Sequence, residues 1–185
     1  MRQRHVMLIL FVFLFNLSKK TWRHVPRFHK TLVFVSFINA FYYYLCRNFL
    51  LWEFNPKGMN RKWLRAIHIL FVTPAITLLS LSSFPSNLSK QILHVMKWTI
   101  GSTLIEYFTY RMRIMEYRHG WNVFWSGVIF FILYTYSYLH SKKPVATWIL
   151  SFVTMFFFIA KFNIPITKRL LKGPVFIIAK ILRYS

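Results

Sequence analysis

Glu53, Glu106 and Glu116 are the only acids in a chain of 185 residues that carries 25 Lys and Arg. A carboxylate can work as a general acid or base, hold a proton at membrane depth, or pair with a cation. Glu106 lies in a largely apolar stretch with Thr99, Ser102, Thr103 and Thr109 at helical spacing. Those five residues form one polar stripe, with Ile100, Leu104, Tyr107 and Phe108 on the opposite side. A stripe of that kind faces the interior of a helix bundle. Pairing of Glu106 with Arg111 or Arg113, pinning two helices together, is the structural alternative. Glu53 and Glu116 sit among Arg and Lys, a setting that usually makes weak solvated ion pairs. His119, Trp121 and Asn122 follow Glu116 closely, and His119 beside Gly120 suits a turn as well as it suits proton transfer. The candidate cluster is therefore Glu53, Glu106, Glu116, His119, Trp121 and Asn122.

Named chemistries lack their spacing here. The chain has no HExxH, CxxC, Walker loop or GxGxxG, and without Asp it has few carboxylates for Mg²⁺. Cys46 is the only cysteine, so no internal disulfide forms. No catalytic residue, cofactor or metal ligand is assigned, and the balance leans away from an enzyme. A net charge of +22 could suggest a nucleic-acid partner. The cations, however, flank apolar segments, and membrane topology explains them without nucleic acid.

Those segments are the elements that must position the cluster. The chain is 56% hydrophobic with a mean hydropathy of +0.42. About 20 apolar residues cross about 30 Å of hydrocarbon as a helix. Residues 31–52, 63–84, 121–140 and 144–163 qualify, and 91–110 joins them on the strength of its ordered polar stripe. Residues 6–17 cover only about 18 Å as a helix. They lack a small-residue cleavage site after them and read as a short uncleaved span, with an interfacial helix as the alternative. The fold class expected is all-α: a polytopic transmembrane bundle of five or six spans within residues 1–164. Residues 165–185 follow as a basic amphipathic tail, an interfacial helix on an anionic leaflet. Pro74 predicts a kink in its span, and Lys142-Lys143 predicts antiparallel packing of the last two.

Loop charge orients the bundle. Residues 47–65 around the first of these loops, 111–118 and 161–183 lie on one face by parity and hold 14 cations. The opposing loops hold Lys90, Lys142 and Lys143. With residues 6–17 spanning, the balance over the whole chain is 16 against 8. The positive-inside rule makes the richer face cytoplasmic, with both termini there. All three acids then belong to that face, Glu106 one turn from the end of its helix.

Several words in the chain carry a resemblance. They are Phe28-His29-Lys30-Thr31-Leu32, Leu51-Trp52-Glu53-Phe54-Asn55-Pro56, Ile105-Glu106-Tyr107, His119-Gly120-Trp121-Asn122-Val123-Phe124-Trp125-Ser126, and Lys142-Lys143-Pro144 with Trp148. Over residues 1–151 the chain resembles an uncharacterised family of small multi-span membrane proteins from spore-forming Firmicutes. The resemblance implies a bacterial cell-membrane location and no activity. Three functions are expected, in this order: a non-enzymatic accessory, sensory or assembly subunit of a membrane-protein partner; a small transporter or proton-coupled carrier using Glu106; and an interfacial enzyme on lipid headgroups using Glu53, Glu106 and His119.

Overall fold

The computed structural model describes residues 2–47, 49–56 and 58–165, with side chains from residue 5 onward. The expected tail of residues 165–185 lies, from residue 166 onward, outside the described residues. Six long helices carry the described chain: α1 (Arg2–Ser18), α2 (Val25–Leu45), α3 (Arg61–Ser82), α4 (Leu88–Arg111), α5 (Val123–Lys142) and α6 (Pro144–Lys161). Two three-residue strands, β1 (Trp52–Phe54) and β2 (Met115–Tyr117), pair antiparallel.

Local chemistry sets the helix ends. Asn60, Asn87 and Asn122 each accept a hydrogen bond from the first turn of the helix that follows, the usual work of an N-cap. Pro26 and Pro144 occupy the first turns of α2 and α6, where the missing N–H is harmless. The predicted kink in α3 takes a specific form. Residues His68–Val72 wind as a π-turn, and the Thr73 N–H reaches back five residues to the His68 carbonyl. The wider register just before Pro74 accommodates a residue that has no N–H to give.

Helix α5 is central and packs against α2, α3, α4 and α6, while α1 lies on α3. Successive helices alternate in direction. The Tyr136 hydroxyl meets Thr154 Oγ1 at 2.8 Å across the one-residue link, so α5 and α6 are the expected antiparallel pair. One end of the bundle gathers the start of α1, the end of α2, the start of α3, the end of α4, the start of α5 and the end of α6 around the ribbon. At the far end Thr31 meets His140 at 3.1 Å, and the Gln91 amide donates to the Tyr138 hydroxyl at 3.1 Å.

The distribution of polarity is inverted relative to a water-soluble bundle. Thr77, Thr147, Ser80 and Ser137 are almost wholly buried, and Thr31, Thr99, Ser126 and Ser151 are buried beside them. Val145, Ile149, Val153 and Phe156 of α6, with Leu104 and Phe108 of α4, stand exposed. Small hydroxylated residues bring membrane helices close, and the outward apolar side chains belong in lipid. Among the described residues three helices are long and apolar enough to cross a membrane: α3, α5 and α6. The α4 stripe lies as expected, with Thr99 and Thr109 buried, Ser102 bonded to Tyr134, and Ile100, Leu104, Tyr107 and Phe108 exposed.

The segment predicted over 31–52 differs. Its helix begins at Val25 and stops at Leu45, and Trp52 belongs to β1. The stop is enforced from within. The Tyr42 hydroxyl accepts the backbone N–H groups of Leu51 (3.1 Å) and Trp52 (3.4 Å), which folds the chain back under the helix and buries Leu50 and Leu51.

Val153 lies at the middle of α6 and is 60% exposed. Lys at that position is expected to oppose membrane insertion by about 2.5–3.5 kcal/mol, whereas Val153→Leu should be neutral. Membrane fractionation and glycosylation-reporter insertion assays read the difference. Equal insertion of the two variants would argue against a lipid-facing α6.

Candidate functional site

The ribbon collects the carboxylates. Its register sets Trp52 opposite Tyr117, Glu53 opposite Glu116 and Phe54 opposite Met115. Backbone bonds from Asn55 N–H to the Ile114 carbonyl and from Arg118 N–H to the Leu51 carbonyl, both 2.8 Å, extend the pairing on either side. Directly opposed residues point to the same face, so Glu53 and Glu116 would repel each other without cations between them.

Three arginines supply those cations. Arg65, one turn into α3, pairs with Glu53 Oε1, and its guanidinium lies over the Tyr43 ring at 5.4 Å. Arg61, four residues earlier on the same helix face, places Nε 3.6 Å from the same oxygen. Arg118 reaches both acids, at 3.9 Å from Glu53 Oε2 and 2.9 Å from Glu116 Oε2. The Asn55 amide donates to Glu116 Oε1 at 3.1 Å. Glu53 is only 5% exposed and Arg65 is mostly buried, so that pair lies largely out of water, while Arg61 and Arg118 reach Glu53 from the solvent side. The start of α1 is tied to the same place, because His5 Nε2 donates to the Asn55 carbonyl at 2.7 Å.

Glu106 joins the group through Tyr117, the ribbon neighbour of Glu116. The Tyr117 hydroxyl donates to Glu106 Oε1 at 2.8 Å. Burial pushes the Tyr117 phenol above its ordinary range, with the adjacent Glu106 adding to the effect, so it stays a donor. Among the described residues Glu106 has no ion pair, so its partner is the ribbon tyrosine and not the alternative Arg111 or Arg113.

The other candidates have separate surroundings. His119 has φ +55° in the turn before Gly120 and stacks on Phe49 with centroids 3.6 Å apart, away from the carboxylate contacts. Trp121 is buried against Phe158 and Phe162, and its Nε1–H donates to Ser126 Oγ at 3.0 Å. Asn122 caps α5 through the Trp125 N–H. The structure thus sets Glu53 and Glu116 side by side on one face of the ribbon, ties Glu106 to the other face through Tyr117, and gives Trp121 and His119 partners outside the carboxylates.

Sequence reasoning passed over Asn55, Arg61, Arg65, Arg118 and Tyr117 as chemistry, counting the arginines as orientation signals only. Two signals could have found them. Arg61 and Arg65 are spaced i, i+4 behind a capping Asn60, and Trp-Glu-Phe and Met-Glu-Tyr both alternate with period two. Among the described residues no three His, Cys, Asp or Glu converge as a metal site requires.

Comparison with protein-family models, with curated proteins and with solved structures finds no match.

Proposed function

We propose that this chain is a multi-pass protein of the bacterial cytoplasmic membrane acting as a non-enzymatic accessory, sensory or assembly subunit, with the ribbon end and both termini toward the cytoplasm. A single observation carries the reading: each of the three carboxylates is engaged by a partner on its own chain. Glu53 is held by Arg65, Glu116 by Arg118 and Asn55, and Glu106 by Tyr117. These contacts join β1, β2, α3 and α4, so a structural role accounts for all three acids. The cluster behaves as a clamp that fixes the shape of one end of the bundle.

Support for six crossings comes from the alternation of the helices and from His5, which ties the start of α1 to the ribbon end. Support for the orientation comes from the cation excess at that end. The resemblance to small membrane proteins of spore-forming Firmicutes fits the same location.

Affinity purification of tagged full-length protein in mild detergent tests the reading. A membrane protein in fixed stoichiometry is expected with wild type and with Glu106→Gln alike. A strictly monomeric, partner-free protein would overturn it, and proton flux in reconstituted vesicles that Glu106→Gln abolishes would establish the carrier reading instead.

A further inference from the structure

At the open side of the ribbon a small cavity of about 40 Å³ is lined by Glu53, Asn55, Pro56, Arg61, Glu116 and Arg118. Its two arginines are only partly used. Arg61 is 53% exposed and Arg118 47% exposed, against 6% for the Glu53 side chain they share. Each guanidinium carries five N–H donors in a planar fork, far more than the two carboxylates engage. The nearby acids do not dominate the field. Three arginines, Arg61, Arg65 and Arg118, face the two acids Glu53 and Glu116, and Arg47, Lys62, Arg111 and Arg113 stand exposed at the same end. Spare donors, excess positive charge and a cavity that opens outward suit an anion with several acceptor oxygens.

The level of the site selects among anions. Trp63, two residues from Arg61 on α3, is 69% exposed, and the Lys161 ammonium lies 5.8 Å above the Trp125 ring at the same end. Exposed Trp at the end of an apolar helix marks the headgroup layer, where phosphates are abundant. We propose that Arg61 and Arg118 form a site for the phosphodiester of an anionic phospholipid, with Glu53 and Glu116 holding the two guanidiniums apart at its mouth. Arginine suits the task because its fork can bond two phosphate oxygens at once. This rests on the reading above in placing the ribbon end at an anionic leaflet, but not on any protein partner.

Thermal unfolding of the detergent-purified full chain tests it. Phosphatidylglycerol is expected to raise the melting temperature by about 5 °C and phosphatidylcholine by less than about 1 °C. Arg61→Gln should remove most of the shift, whereas Arg111→Gln, an equal loss of charge away from the cavity, should keep it. Should Arg61→Gln fold poorly, Arg61→Lys retains the charge without the fork and should lose about half of the shift. Equal shifts in the Arg61 and Arg111 variants, or from phosphatidylcholine, would overturn the site. Inorganic phosphate matching phosphatidylglycerol at equal concentration would overturn a lipid as its source. A lost shift with the copurifying partner retained defeats the lipid site alone, and the reverse pattern defeats the subunit reading alone.

Discussion

Glu53→Gln is expected to lower the melting temperature of the detergent-purified protein by about 10 °C. Glu53 is 5% exposed, with Arg65 and Arg61 at Oε1 and Arg118 at Oε2. Gln keeps the shape and one acceptor oxygen but removes the charge. Arg61 and Arg118 are half-exposed and can turn to water. Arg65 cannot do so as freely: its side chain is 21% exposed, lies over Tyr43, and has a buried Nε with no hydrogen-bond partner even in the intact structure. Breaking a buried pair from one side typically costs about 3–5 kcal/mol, because the surviving charge stays desolvated. A chain of this size loses roughly 2–4 °C per kcal/mol. A melting temperature within about 2 °C of wild type would show that the pair contributes no more than an exposed surface bridge.

Trp121→Ala should be comparably damaging, at about 3–5 kcal/mol, for a different reason. Trp121 is 6% exposed and packs on Phe158 and Phe162, so it joins the loop after β2 to the end of α6. Its indole N–H also donates to Ser126 near the start of α5. Alanine leaves a cavity between the ribbon and α6 and frees the serine. Trp121→Phe fills most of the space and loses only the hydrogen bond, about 1 kcal/mol. Melting curves of the two variants separate packing from hydrogen bonding. An Ala variant no worse than the Phe variant would contradict the packing role.

Much of this architecture was legible as polarity. The stripe of Thr99, Ser102, Thr103, Glu106 and Thr109 faces inward, because helical spacing alone decides which side chains share a side. Charge parity put Glu53, Glu106 and Glu116 at one end, and there they are. The partners were not legible. The register that sets Glu53 against Glu116 joins residues more than sixty positions apart through strands of three residues, too short for alternation to distinguish from loop. Hydropathy carried the helix on to Trp52, since apolar residues under a turn look the same as apolar residues in lipid. Tyr117 takes the place of the arginine alternative at Glu106 for the same reason: the ribbon, invisible in local sequence, delivers its hydroxyl.

The clamp itself is tested most directly by a double-mutant cycle of Glu53→Gln and Arg65→Gln, read as unfolding free energy in one detergent. Glu53→Gln leaves the Arg65 guanidinium without its acid, Arg65→Gln leaves Glu53 only the half-exposed Arg61 and Arg118, and the double change removes both charges together. The double variant is therefore expected to be scarcely less stable than either single one, a coupling of about 2 kcal/mol or more. Costs that simply add would contradict the clamp and return Glu53 to the pool of carboxylates free for chemistry.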